Sequence, residues 1–119
     1  MPRSNCPISG ALEIIGDKWT LLILRDALYK NFTTFGEFQS SSEGIASNIL
    51  SNRLNKLVEI EIFEKIKDSK NNLNIHYILT DKGRDLEEVV LSMGRWGYKY
   101  IENASDILEE ILRKKENSQ

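Results

Sequence analysis

Three features of the sequence predict a mainly α-helical fold carrying one small β-hairpin. Apolar residues recur at helical spacing through most of the chain, a short capped segment near 34–41 precedes a longer amphipathic one, and two β-prone runs lie close together at 62–67 and 74–80. Short helix, turn, longer helix and hairpin, in that order, make a winged helix-turn-helix. A long apolar stripe after the hairpin adds a C-terminal helix suited to dimerisation.

Each element has its own signal. Pro7 suits the first position of a helix through Ala11, Leu12, Ile14 and Ile15, which Gly16 stops. Asp17 then caps a second helix, Lys18 to Tyr29, whose apolar residues nearly encircle it; Trp19, Leu22, Ile23 and Leu28 are expected in the core. Thr34-Phe35-Gly36-Glu37 fits a capping box and starts a short helix to about Ser41. The polar run Ser40 to Gly44 breaks the pattern, and a longer helix at roughly 47–59 follows, apolar at Ala46, Leu50, Leu54 and Leu57. The runs 62–67 and 74–80 form the wing, with Ile75, Tyr77 and Leu79 on one face. Thr80 caps a helix expected to run from about 81 to 103, roughly 34 Å long. A last amphipathic piece carries Ile107, Leu108, Ile111 and Leu112.

Composition bounds what this fold can do. With 119 residues, 40% hydrophobic and 29% charged, the chain is a single foldable domain with room for one main job. Within it, 6–80 forms the reading core and 81–115 the dimerisation helices. The apolar run Trp19 to Leu24 stops at Arg25, far short of the roughly 20 residues that cross a bilayer. No membrane partner is expected. The first residues show no apolar leader, and the single Cys cannot build a disulfide framework, so the cytoplasm is the expected compartment. The net charge of −2 counts mildly against nucleic acid. Residues 1–80 nevertheless balance nine Lys or Arg against nine Asp or Glu, so the deficit lies after residue 80. Such a front half predicts modest non-specific affinity and a shallow salt dependence.

An ordered set of segments resembles the HxlR family of bacterial and archaeal regulators. It comprises Cys6-Pro7, Gly16-Asp17-Lys18-Trp19-Thr20 through Arg25, Phe35-Gly36-Glu37-Phe38, Ile45 with Leu50-Ser51-Asn52-Arg53-Leu54, and Tyr77-Ile78-Leu79-Thr80-Asp81-Lys82-Gly83. The resemblance covers residues 6 to about 97. It implies a dimeric, MarR-like transcription regulator that answers to stress or small molecules, without a cofactor. This chain departs from the family in having Ala46 where a Ser or Thr usually caps the reading helix, and Glu61 where a Gly usually precedes the first wing strand. Its wing tip is Asp-Ser-Lys-Asn-Asn in place of prolines, which implies a more flexible tip.

A helical wheel at about 100° per residue places Ser47, Asn48, Ser51, Asn52 and Asn55 within one arc of about 140°, opposite the leucines. That arc is polar, uncharged and short-chained. In a major groove Asn can pair with adenine through two bonds, and Ser can serve base edges or phosphate. A solvated helix face is the plain alternative. Arg53 falls at about 240° on the same wheel, toward the apolar side. It is a poor base contact, and either a structural ion pair or a reach to phosphate suits it. Lys56, Lys65, Lys67 and Lys70, with Thr34 and Asn71, are the candidates for backbone contact near the helix end and wing.

The stripe Leu86, Val90, Met93, Trp96 and Tyr100, with Ile107 and Ile111, is the expected dimer interface, since two reading helices must lie about one DNA turn apart on a palindromic operator. Cys6 sits just before Pro7 at a helix N-cap, where backbone N–H groups and the helix dipole favour a thiolate. The resemblance implies that a Cys there senses oxidants or electrophiles; an inert small hydrophobe is the alternative. His76 has no metal-spaced partner and no phosphate loop or nucleophile motif occurs, so an enzyme is not expected. The rival function is a winged helix used as a protein-interaction module.

Overall fold

The computed structural model describes residues 5–68 and 74–102, in the order α1 (Pro7–Ile15), α2 (Lys18–Tyr29), α3 (Phe35–Gln39), α4 (Ser47–Glu59), β1 (Phe63–Lys67), β2 (Ile75–Leu79), α5 (Asp81–Arg84) and α6 (Glu87–Tyr100). The chain divides into two compact units, residues 1–85 and 86–119. The first holds the helix-turn-helix and the hairpin. The second, as far as it is described, is α6.

Local capping sets the element starts. Asp17 accepts the Thr20 backbone N–H at the head of α2. Thr34 accepts from Glu37 N while Glu37 Oε1 reaches back to Thr34 N, a complete capping box on α3. Ala46 caps α4 with no side-chain hydrogen bond, so its first-turn N–H groups lack the partner a Ser or Thr would supply.

In the first unit Leu24, Leu50 and Leu54 are fully buried, with Phe38, Leu57 and Phe63 almost so. Ile23 joins them, while Trp19, Leu22 and Leu28, expected in the core, are half-buried. A chain of aromatic rings ties the layers together: Phe32 to Phe38 and Phe38 to Phe63 at 6.0 Å, then Phe63 to Tyr77 at 6.3 Å. The strands pair antiparallel from Phe63 opposite Leu79 to Lys67 opposite Ile75. Thr33 extends the wing's connections, because its carbonyl accepts Tyr77 N at 2.7 Å and its hydroxyl meets His76 Nδ1 at 2.8 Å. His76, on the wing strand β2, is thus a half-buried tie to the loop before α3.

The exit from α4 fixes where the wing begins. Ile62 N donates to Leu57 O at 2.9 Å and Glu61 N to Val58 O at 3.0 Å, the paired bonds of a Schellman motif, with Leu57 and Ile62 both buried. This motif needs a left-handed residue, and Glu61 occupies it at φ 67°. A glycine would sit there without the Cβ penalty.

The expected single helix over 81–103 is two helices in the structure. Thr80 Oγ1 accepts Gly83 N and donates to Glu61 O, tying α5 to the base of the wing. A Cβ on Gly83 would lie 2.4 Å from Ile62 O, so this close approach demands glycine, a poor helix former. Asp85 and Leu86, at ψ −16° and −7°, then flatten into a turn before α6 begins.

In the second unit α6 has 14 residues, about 21 Å at 1.5 Å per residue. Glu87 and Glu88 lie in its first turn and Lys99 in its last, each complementing the helix dipole. Val89, Met93, Trp96 and Tyr100 are exposed at alternating steps of four and three, the spacing of a coiled-coil seam. Ile107 and Ile111 lie outside the described residues.

Glu61→Gly should raise unfolding stability by about 1 kcal/mol, read as a higher denaturant midpoint at unchanged slope. Gly83→Ala should lower it by at least as much, because Ile62 O is backbone and cannot step aside. An unchanged midpoint for both variants would contradict this account of the wing base.

Candidate nucleic-acid interface

α4 packs on the core by its back. Leu50, Leu54 and Leu57 are buried, whereas Ser47, Asn48, Ser51, Asn52 and Asn55 are all exposed. A helix that buries one stripe so completely must present the other to solvent or a partner. The first two turns of the presented face carry hydroxyl and amide groups, with Lys56 and Glu59 exposed toward the end of the helix. Such short, neutral side chains can enter a groove and hydrogen-bond to base edges without the desolvation cost of a charge.

Two charged clamps set the pose of α4. Arg53 Nε lies 3.1 Å from Asp17 Oδ1, joining α4 to the head of α2. Arg53 Nη1 also donates to Asn52 Oδ1 at 2.8 Å. Burial pushes the Asp17 carboxyl up, but hydrogen bonds from the Thr20 hydroxyl and backbone, then from Arg53, outweigh it and hold it below its ordinary 3.8. Arg53 is therefore engaged in an ion pair, one of the two roles open to it from sequence.

The second clamp was not visible in the sequence pattern. Arg25 on α2 grips Glu43 through two bonds of 2.7 and 2.8 Å, donates to Ser41 Oγ at 3.2 Å, and pairs with the buried Asp26 at 2.8 Å. It thereby fixes the turn between α3 and α4. The bonds from Arg25 outweigh burial and hold Glu43 far below the usual carboxylate range. Two backbone N–H groups, of Thr33 and Thr34, likewise lower the Glu37 carboxyl.

The remaining candidates are dispersed around α4. Lys56 is exposed in its last turn, and Lys65 and Lys67 are exposed on β1. Thr34 is half-buried with its hydroxyl engaged in the capping box. Lys70 and Asn71 fall outside the described residues. An open groove between the end of α4, β1 and the head of α5 is of mixed charge, lined by Glu61, Glu64 and Asp81 together with Lys65 and Lys82. Cys6 caps α1 in extended backbone and is exposed, as are Ile8 and Leu12 on the same helix. On α6 Met93, Trp96 and Tyr100 are exposed, and Leu86 and Val90 half-buried. No helix among the described residues is long and apolar enough to cross a membrane.

A family model described as HxlR-like helix-turn-helix matches residues 14–105. Rv3095 of Mycobacterium tuberculosis, an uncharacterized HTH-type transcriptional regulator, is 37% identical over 94 residues; the match takes in 79% of this chain but only 58% of that relative's length. YdeP of Bacillus subtilis, another uncharacterized HTH-type transcriptional regulator, is 31% identical over 95% of this chain and 86% of its own. Among solved structures, the redox regulator HypR in its oxidized form superposes with TM-score 0.70 at 28% identity, covering 79% of this chain and 96% of HypR. The family and these relatives are transcriptional regulators, not enzymes.

The lowered carboxylates fix the acid response. A group whose pKa is lower folded than unfolded adds stability above its unfolded pKa and loses it as pH falls through the folded one. The thermal midpoint should hold down to about pH 5 and fall below it, as Glu43, Asp17 and Glu37 drop from their ordinary 4.5, 3.8 and 4.5. Glu43→Gln should lower the midpoint at neutral pH and flatten the acid limb. An acid limb as steep as wild type would show that the Arg25 clamp does not carry this stability.

Proposed function

This chain belongs to the HxlR-like helix-turn-helix family of transcriptional regulators, and we propose that it binds a palindromic operator in double-stranded DNA as a homodimer, each α4 seated in a major groove. The observation that carries this reading is the row of exposed, uncharged polar side chains on a helix whose opposite side buries Leu50, Leu54 and Leu57. Ser47, Asn48, Ser51, Asn52 and Asn55 read base edges. Lys56, Lys65 and Lys67, with Thr34, Lys70 and Asn71 nearby in sequence, serve the backbone.

Dimerisation supplies what the neutral face lacks. Of the interface Leu86, Val90, Met93, Trp96 and Tyr100, the last three are more than half exposed and the first two half-buried, with Val89 exposed beside them, and α1 exposes Ile8 and Leu12. Such faces gain from cover by a second copy. The protein acts as a repressor in the cytoplasm. Its input is an oxidant, an electrophile or another small molecule acting at Cys6, in keeping with the exposed thiol and the likeness to the redox regulator HypR. Adduct formation at Cys6 would add bulk beside the exposed α1 residues and so bear on the dimer.

Trp96→Glu should convert the dimer to a monomer by light scattering and weaken binding to a selected operator about a hundredfold, because the second half-site is then no longer held at high effective concentration. Lys65→Ala should lower the slope of log affinity against log salt by about 1, with base preference unchanged. A wild-type chain that stays monomeric while binding DNA at full strength would overturn the dimer.

A further inference from the structure

The exposed face of α4 contains one amide whose orientation the protein has already fixed. Asn52 Oδ1 accepts from Arg53 Nη1 at 2.8 Å, and Arg53 is held in turn by Asp17 at 3.1 Å. Asp17 is itself anchored at the head of α2 by the backbone and hydroxyl of Thr20. A guanidinium has donors and no acceptor, so the Asn52 atom facing it must be the amide oxygen. None of the described residues takes the amide nitrogen, and Asn52 is exposed.

This pre-orientation changes what Asn52 can recognise. An unconstrained asparagine offers a donor and an acceptor side by side, the complement of adenine N6–H2 and N7. With one of its oxygen's two lone pairs taken by Arg53, Asn52 has its amide donors as the freer hydrogen-bonding group. In the major groove only guanine places two acceptors, N7 and O6, next to each other on one base. Adenine and cytosine each present an amino donor there, and thymine flanks its one acceptor with a methyl group. We propose that Asn52 prefers guanine, and that Asp17 and Arg53 are positioning residues that bias an adenine-capable side chain toward guanine. The inference rests on α4 being the base-reading helix.

The test is enrichment of a randomised duplex pool by the full chain. Wild type should select guanine at one position per half-site, and Asn52→Ala should make that position degenerate while the rest of the selected sequence persists. Asn52→Asp keeps an oxygen for Arg53 but turns a second oxygen outward, so the position should switch to cytosine, whose amino group donates. Arg53→Met releases the amide, and the guanine-to-adenine ratio should fall about fivefold, the worth of roughly one hydrogen bond. Asn52→Asp, an exposed change, keeps the test decisive if Arg53→Met fails to fold. Wild-type selection of adenine at the Asn52-dependent position, or an Asn52→Asp pool that keeps guanine, would overturn the inference while leaving the reading helix intact. A wild-type pool with no enriched sequence would overturn the reading itself, and the inference with it.

Discussion

The one-sided burial of α4 is the constraint on which the rest of the first unit depends. Leu50 and Leu54 are fully buried and Leu57 almost so. Their burial contributes on the order of 2 kcal/mol each, and a rotation of the helix would forfeit it. Everything on the outer face is therefore fixed in direction before any ligand arrives. The ion pair from Asp17 to Arg53 and the grip of Arg25 on Glu43 lie at partly exposed sites and add modestly to stability. Their further contribution is register, because they tie the middle of α4 and the turn before it to the same helix, α2.

α4 also sets the wing. Its Schellman exit passes directly into β1 through Ile62, and Thr80 returns from β2 to bond the carbonyls of Glu61 and Ile62. Strand and helix thus share one corner, closed by Gly83 against the Ile62 carbonyl. Glu61 in the left-handed region shows that this corner is kept at a conformational cost. Thr33 supplies a second tie, joining β2 to the loop that opens α3, so the hairpin and the helix-turn-helix move as one piece.

What the sequence showed and what it hid divide along chain distance. Asp17, Thr34 and Thr80 were legible as caps because a cap acts within a few residues. The bounds of α4 and its polar face were legible because helical periodicity alone separates Ser47, Asn48, Ser51, Asn52 and Asn55 from the leucines. The partners of Arg53 and Arg25, 36 and 18 residues away, left no periodic trace. The break between α5 and α6 was missed because apolar spacing runs on through it, while its cause, the Ile62 carbonyl beside Gly83, is tertiary. Trp19, Leu22 and Leu28 were placed in the core by hydrophobicity, which records preference for burial rather than its extent.

Candidate reading residues without charge imply a division of labour, in which the groove-facing residues select sequence and the lysines and the second subunit supply affinity. The most direct measurement of that claim is an NMR titration of the labelled chain with a selected duplex, following backbone amides and the side-chain amides of Asn48, Asn52 and Asn55. The account predicts that these three side chains, with the backbone of Ser47 and Ser51 and of β1 at Lys65 and Lys67, shift most. Perturbations that leave the asparagine amides in place and fall on other surfaces would contradict it.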